Sequence, residues 1–322
     1  MTDAAARTHV PTDDPTWQES NECHAFDPAA GIGFITASGV FVNDGTGLAY
    51  AAAVVPGPGD TQVCFQRTNN DVALVEGDRG PMRNGVSFLH WDWLDETTSR
   101  LTVDDPDCEI DVVFSDFHEE AHWAQASVPG ADGHVETSGS IEGSIRVGDH
   151  THEISCLAHR DQSWGSRDNR PVRSHAWLAG TCGLELSFTS ENLVVERGGH
   201  VMSVRGGYVH HDGSVDHVAD PDLRYEFEWD LFSPTAVRGV LRTESGHEFP
   251  IETGRCSPTF FNGRTWRGEE GTLAAVDRLF EVRVGDRAGI ANLNLLANVT
   301  AGRQAPALMA HNPIVAGVWT AQ

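Results

Sequence analysis

Residues 144–168 read SIRVGDHTHEISCLAHRDQSWGSRD, and this stretch decides both the fold and the candidate site. Polar and apolar residues alternate over Ser144–Leu157, which predicts a strand that buries one of its two faces. The segment 159–168 then gathers arginines, aspartates, an indole and a glycine at the end of that strand. Charged and aromatic residues at a strand end favour the wall of a functional site. From spacing alone, a surface turn that pairs Asp161 with Arg167 is the alternative.

Short alternating segments of this kind recur along the whole chain. Turn signals such as Gly-Pro-Gly at 57–59 and Asp-Asp-Pro-Asp at 104–107 separate them, and no apolar stripe of helical period continues for three turns. Such spacing predicts an all-β sandwich or barrel rather than alternating β-α-β units. The predicted strands include Gly31–Ala37, Leu48–Val55, Gln62–Arg67, Val86–Leu94, Ser99–Val103, Glu109–Phe114, Ala176–Gly180, Leu184–Thr189, Val201–His210, Tyr225–Leu231, Ala236–Thr243, Glu248–Thr253 and Phe280–Val284.

The predicted strands form two series, which indicates two similar barrels in succession. We expect a flexible arm over residues 1–20, because this segment is rich in Thr, Asp, Pro and Ala. A first β-barrel would then cover residues 21–170 and a second one residues 171–322. The polar segment 168–173 contains a proline, as is typical of a linker between domains.

Charge and hydropathy exclude several classes of partner. The chain has 322 residues with 47 acidic and 22 basic side chains, so its formal net charge is −25. A field of this sign repels phosphate backbones, and we expect no nucleic-acid partner. The polar start of the chain has no apolar core of signal-peptide length, and no run approaches the roughly 20 apolar residues of a membrane span. We therefore expect a cytoplasmic protein.

A second motif, His118-Glu-Glu-Ala-His122, matches the H-E-x-x-H pattern of zinc hydrolases. On a helix this spacing puts both imidazoles on one face and leaves Glu119 as the base for metal-bound water. However, the preceding strand and the turn at 127–133 leave space for only about two helical turns. A solvated acidic loop between strands is therefore the alternative.

Tryptophan is abundant, with nine residues against three tyrosines. Trp91 and Trp93 lie two positions apart on a predicted strand and so share one face. They would either line a cavity for a hydrophobic or cationic molecule or fill the core of the barrel. The same two interpretations apply to Trp177.

Three segments together resemble a family signature. They are His134-Val-Glu136, Gly-Ser-Ile-Glu-Gly at 139–143, and Arg-Asp-Gln-Ser-Trp-Gly-Ser-Arg-Asp at 160–168. The chain is similar here to the lipocalin-like carotenoid 1,2-hydratase and tocopherol cyclase superfamily, in particular to its bacterial two-domain branch. The resemblance implies two consecutive lipocalin-like (calycin) antiparallel barrels and a hydrophobic ligand bound near their junction. It also implies the addition of water to, or the cyclisation of, isoprenoid alkenes without a cofactor. We expect no bound metal.

Asp161 is the best candidate for the acid that such a reaction needs. Protonation of an alkene requires a neutral carboxylic acid, and an apolar pocket raises the pKa of a carboxyl by desolvation. Arg160 and Arg167 would have to point away, since a nearby guanidinium lowers that pKa. Trp164 would face the developing carbocation, which requires the strand to bend after Asp161. Gln162 departs from the resemblance, because the family motif usually carries histidine there.

The candidate site residues follow from this interpretation. The catalytic candidates are Asp161, His159 and Arg160. The substrate-binding candidates are Trp164, Trp91, Trp93, Trp177, Arg167, His134 and Glu136.

Three functional hypotheses stay open at this point. The first is a hydratase or cyclase that acts on a terpenoid-like alkene. The second is a carrier that holds a lipophilic molecule in the same cavity without chemistry. The third is a zinc hydrolase built on His118, Glu119 and His122.

Overall fold

The computed structural model describes residues 9–74, 86–122, 131–167, 172–197, 200–230, 233–265, 272–299, 314–315 and 318–320. Within these ranges the chain is all-β, with one short 3-10 helix at Val42–Asp44. None of the described helical segments has the length and apolar character needed to cross a membrane. The chain divides into two compact units, Met1–Asp168 and Asn169–Gln322.

The first unit is one antiparallel sheet in the order β4-β3-β2-β1-β10-β9-β7-β6-β5, with β8 paired to β9. It curls strongly into a half-barrel, and among the described residues its edge strands β4 and β5 do not pair. The strands are β1 (Trp17–Asp27), β2 (Ile32–Phe41), β3 (Thr46–Pro56), β4 (Gln62–Ala73), β5 (Leu89–Trp93), β6 (Thr98–Asp105), β7 (Cys108–Asp116), β8 (Ala121–His122), β9 (Ala131–Val147) and β10 (His150–Ser166).

The second unit closes into an eight-stranded antiparallel barrel, in which β13 pairs with both β12 and β14. The predicted all-β class is therefore confirmed, with one closed antiparallel barrel and one curled half-barrel. The strands are β11 (Val172–Thr181), β12 (Leu186–Arg197), β13 (His200–His211), β14 (Ser214–Phe227), β15 (Pro234–Thr243), β16 (Glu248–Cys256), β17 (Phe260–Thr265), β18 (Thr272–Val284), β19 (Arg287–Val299), β20 (Ile314–Val315) and β21 (Val318–Thr320).

Two local predictions are wrong. Residues 17–20, assigned to a flexible arm, form the start of β1, where Trp17 is buried and pairs in register with Ser166. The alternating stretch Ser144–Leu157 is a hairpin rather than one strand, because Gly148 takes a left-handed conformation (φ 57°) between β9 and β10. The segment 159–166 consequently lies inside β10 and not in a turn after it.

Strand alternation explains how the first unit separates its two faces. Ile141 and Ile145 on β9 lie on the same face as Ala158 on β10, and all three belong to the apolar core together with Phe114 of β7. Side chains at the intervening positions of β9 and β10 point to the opposite face. On β9 these include Glu136, which is nevertheless fully buried. The second face is therefore also buried at Glu136, although it carries polar side chains there.

Close strand packing makes Gly143 on β9 intolerant of a side chain. Its φ is +153°, and a Cβ placed there would lie 2.1 Å from the carbonyl oxygen of Asp111. We expect Gly143→Ala to lower the free energy of unfolding by about 1–3 kcal/mol through backbone strain and displacement of β7. Denaturant unfolding measures this. Gly39→Ala is the control, because the nearest atom to its Cβ would lie at an ordinary 3.6 Å, and an equal loss in both variants would contradict the account.

Candidate active site

Three neighbouring strands bring a set of polar side chains to one face of the first unit. Asp161 on β10 lies opposite Glu136 of β9 and Glu22 of β1, so three carboxyl groups form one row across the sheet. In the next row, His159 of β10 lies between Ser138 of β9 and His24 of β1. Directly opposed side chains have Cβ atoms about 4.5–5.5 Å apart, so these groups interact.

Glu136 is held by two histidines. The Nε2 atom of His134 lies 2.8 Å from Oε1, and the Nε2 atom of His159 lies 3.0 Å from Oε2. Both imidazoles donate, because an ionised carboxylate only accepts hydrogen bonds. Desolvation alone would raise the pKa of Glu136, but these two hydrogen bonds outweigh it and hold the pKa below its usual range. Glu136 is therefore a buried, ionised and fully oriented carboxylate.

The two histidines around Glu136 have different protonation preferences. Burial lowers the pKa of His159 even though Glu136 opposes this effect. The Nδ1 atom of the neutral ring accepts a hydrogen bond from the Ser138 hydroxyl at 2.9 Å, so both ring nitrogens are engaged. For His134, desolvation is outweighed by the hydrogen bond and the charge of Glu136, and its pKa is raised. His159 thus positions Glu136, and His134 favours the cationic form.

Asp161 has a different environment in the same row. It keeps partial exposure, and among the described residues it has no hydrogen-bond or ion-pair partner. Desolvation raises the pKa of Asp161 to about 7; the charges of Glu22 and Glu136 act in the same direction, and those of His134 and His159 oppose it. Near neutral pH this carboxyl exists in both its acid and its base form, as a group that transfers protons must.

Arg160 lies on the opposite face from Asp161. Its guanidinium binds the Asp116 carboxylate at 2.9 and 3.1 Å and Glu120 at 2.9 Å, and it lies 4.7 Å above the Trp93 ring. Arg160 therefore points away from Asp161, as an acid with a raised pKa requires. The Asp161–Arg167 ion pair expected of a surface turn is likewise not formed between these two described residues. Arg167 instead acts at longer range on His134, whose pKa it lowers.

The predicted position of Trp164 is also wrong. Alternation continues through Trp164, and the register shift comes only between Trp164 and Gly165, where φ is 121°. The indole therefore lies on the face opposite Asp161, where it stacks on His9 at 3.5 Å. Gln162 shares that face and donates from Nε2 to Glu19 at 2.8 Å. A histidine at position 162, as in the family motif, would thus not lie beside Asp161.

The other tryptophans divide between the two units. Trp91 is buried in the core of the first unit and packs at 6.4 Å from Phe114, so the core-filling interpretation applies to it. Trp93 is half-buried under Arg160. Trp177 belongs to β11 of the second unit, where it is buried.

The helix that the H-E-x-x-H hypothesis needs is not formed over its described residues. Residues 118–120 have no regular structure, and His122 lies on the short strand β8, where its side chain is exposed. The Nδ1 atom of His118 lies 2.9 Å from the carbonyl oxygen of Glu119, which accepts its hydrogen bond. The two imidazoles therefore do not share a helix face, and this zinc site is a wrong prediction.

Glu22, His24 and Ser138 were not predicted as site residues from the sequence. The signal was present as polar residues two positions apart, in Ser20-Asn-Glu22-Cys-His24 and in Glu136-Thr-Ser138. Such patterns predict a polar strand face. They do not predict which strand pairs with β1, and its partner β10 lies about 140 residues away in the sequence.

Two solved structures have a fold similar to that of this chain. A protein from Nitrosomonas europaea described as an AttH candidate is 10% identical with a TM-score of 0.59, covering 87% of this chain and 92% of that one. Kievitone hydratase from Nectria haematococca is 11% identical with a TM-score of 0.53, covering 93% and 95%. At these identities the two matches show that the overall fold is shared.

A narrower assignment follows from the sequence itself. Residues 2–299 match the family described as Domain of unknown function (DUF7064), and the chain belongs to this family. No curated protein sequence matches the chain.

The charge of Glu136 should contribute to stability in a pH-dependent way. Its folded-state pKa lies below the ordinary 4.5, so its contribution is complete above that value and is lost as the pH falls. We expect Glu136→Gln to lower the free energy of unfolding by about 3–5 kcal/mol at pH 7, because it leaves the buried cation-favouring His134 without its carboxylate. Denaturant unfolding at several pH values measures the loss, which should shrink below pH 4.5.

Glu153→Gln is the matched control for this prediction. Glu153 is an exposed residue of the same β10 strand. Its substitution should change the stability by no more than about 0.5 kcal/mol. A loss in Glu136→Gln that is small, or independent of pH, would contradict the assigned network.

Proposed function

We propose that this protein is a cofactor-independent acid catalyst that hydrates or cyclises a lipophilic, terpenoid-like alkene, with Asp161 as the general acid. The observation that carries the proposal is the environment of Asp161. Burial and neighbouring carboxyl groups raise its pKa to about 7, and it has no hydrogen-bond or ion-pair partner among the described residues. An unpaired carboxylic acid with partial exposure can deliver its proton to a substrate.

The chemistry needs one acid and one source of negative charge. Protonated Asp161 transfers its proton to one alkene carbon, and a carbocation forms at the other. In hydration, water bonds to the cation and its surplus proton returns to the Asp161 carboxylate, so the sum is alkene plus water to alcohol. In cyclisation, a second double bond of the substrate attacks the cation, and a proton lost from carbon returns to Asp161. The acid is regenerated in both cases.

The ionised Glu136 would supply the electrostatic stabilisation. It lies opposite Asp161 on the neighbouring strand, and its charge is fixed by His134 and His159. A carboxylate held in place before the reaction stabilises a developing cation without reorganisation. His134 and His159 act through Glu136 as positioning residues.

The fold supports the reaction class only by analogy. One solved structure of similar fold is a hydratase by name, and one fold hosts many chemistries. The lipophilic substrate class comes from the resemblance of the 134–168 region to isoprenoid hydratases and cyclases. The alternative of a non-catalytic carrier uses the same fold and assigns no chemical role to Asp161.

Asp161→Asn tests the proposal directly. We expect a loss of turnover of about 10²- to 10⁴-fold, because the amide cannot donate a proton as an acid does. Turnover of prenylated and isoprenoid alkenes is followed by mass spectrometry, with ¹⁸O-labelled water to detect hydration and deuterated solvent to detect protonation at carbon. In the wild type, the rate should fall as the pH rises through about 7, where the acid ionises. Product formation by Asp161→Asn at the rate of the wild type would contradict the proposal. Substrate binding without conversion by the wild type would favour the carrier.

The same substitution should stabilise the fold at high pH. The pKa of Asp161 is raised from 3.8 to about 7 in the folded state, so ionisation destabilises the protein progressively between these values. We expect Asp161→Asn to gain free energy of unfolding relative to the wild type as the pH rises from about 4 to 7, and to keep this gain above 7. Asp149→Asn, at the exposed turn between β9 and β10, should show no such trend. A constant difference over the whole pH range would contradict the raised pKa.

A further inference from the structure

A second cluster of titratable side chains lies in the second unit, at neighbouring turns of its barrel. His211 ends β13, Asp216 follows the turn at the start of β14, and His247 lies in the turn between β15 and β16. The Oδ2 atom of Asp216 lies 3.1 Å from Nδ1 of His247 and 3.7 Å from Nε2 of His211. The two imidazole rings meet edge to face with centroids 4.8 Å apart.

The three side chains offer one ligand atom each within a small volume. These atoms all lie within 4.8 Å of one another. Ligands bound tetrahedrally to zinc at about 2.0–2.1 Å are separated by about 3.3 Å, so small side-chain rotations would bring all three onto one ion. His211 and Asp216 are largely buried, whereas the His247 side chain is 56% exposed, which leaves access from solvent.

Neighbouring polar groups hold His211 and Asp216 in place, as groups hydrogen-bonded to metal ligands commonly do. The Oδ2 atom of Asp212 lies 3.4 Å from Nδ1 of His211, which directs the Nε2 atom of the same ring toward Asp216. The backbone N–H of Ser245 lies 3.4 Å from Oδ1 of Asp216, so Oδ2 is left facing both imidazoles. A carboxylate behind a ligating histidine is a recurrent feature of zinc sites.

Asp216 is also ionised, as a metal ligand must be. Desolvation would raise its pKa, but hydrogen bonds from Thr243, His247 and Ser245 outweigh it and hold the pKa below the usual range. Metal coordination requires a deprotonated carboxylate.

We propose that His211, Asp216 and His247 bind one divalent transition-metal ion of borderline softness, such as Zn²⁺. Two imidazoles and one carboxylate suit Zn²⁺ or Co²⁺, whereas Mg²⁺ and Ca²⁺ prefer oxygen ligands throughout. The ion would join the β13–β14 turn to the β15–β16 turn and keep at least one position open to water. This inference departs from the expectation of a metal-free protein and does not depend on the role of Asp161.

The test is metal titration of the full-length chain after treatment with a chelator and dialysis. Calorimetry with Zn²⁺ alone should give one equivalent per chain, and Co²⁺ should produce visible d–d absorption bands. His247→Ala and His211→Ala should each abolish the stoichiometric binding. Asp212→Asn should weaken the affinity by about 10- to 100-fold, because it removes only the outer-shell carboxylate.

His217→Ala is the matched control, since His217 is an exposed histidine next to Asp216 that points to the other face of β14. It should bind Zn²⁺ as the wild type does. Far-UV circular dichroism checks that each variant is folded. We expect His247→Ala to fold, because the His247 side chain is exposed. The absence of stoichiometric Zn²⁺ binding by the wild type would overturn the proposal. An equal loss of binding in His217→Ala and His247→Ala would also overturn it, because binding would then come from the histidine-rich surface and not from this cluster.

Discussion

The antiparallel pairing of β10 with β9 on one side and β1 on the other is the constraint on which the candidate site depends. This register places Glu22, Asp161 and Glu136 in one row and His24, His159 and Ser138 in the next. A shift of one residue on β10 would move Asp161 to the face of the apolar core and bring Arg160 into the polar row. The backbone hydrogen bonds of the sheet therefore determine which side chains meet at the site.

Within that row, two carboxyl groups have pKa values shifted in opposite directions. Glu136 is compensated by hydrogen bonds from two histidines and is ionised, whereas desolvation of the unpaired Asp161 raises its pKa to about 7. Pairs of carboxyl groups that are separated in this way commonly divide the roles of proton donor and charge stabiliser. The distribution of hydrogen-bond partners, rather than burial alone, produces the difference, because the same desolvation acts on both groups.

The sequence predicted the fold class well because strand alternation and turn residues are local signals. The hairpin at Gly148 was missed although the sequence carries its signal, because the apolar alternation of Ile145 and Val147 stops at Gly148-Asp149, a typical turn pair. Asp161 and Glu136 were both identified, but not their pairing with Glu22, which depends on contacts between distant segments. Trp164 was misplaced because a bend was assumed before the position at which Gly165 supplies it. The H-E-x-x-H match failed because residues 118–120 have no regular structure and Ala121–His122 form a short strand, whereas the motif requires a helix.

A direct measurement of the Asp161 pKa tests the central claim. Aspartate is labelled with ¹³C at the side-chain carboxyl, and the protein is titrated by NMR with Asp161→Asn as the assignment control. The account predicts one aspartate signal that titrates near pH 7 in the wild type and is missing in the variant. A signal for Asp161 that titrates near 3.8, the ordinary value, would contradict it. Asp161 would then be ionised at neutral pH and unable to act as the acid.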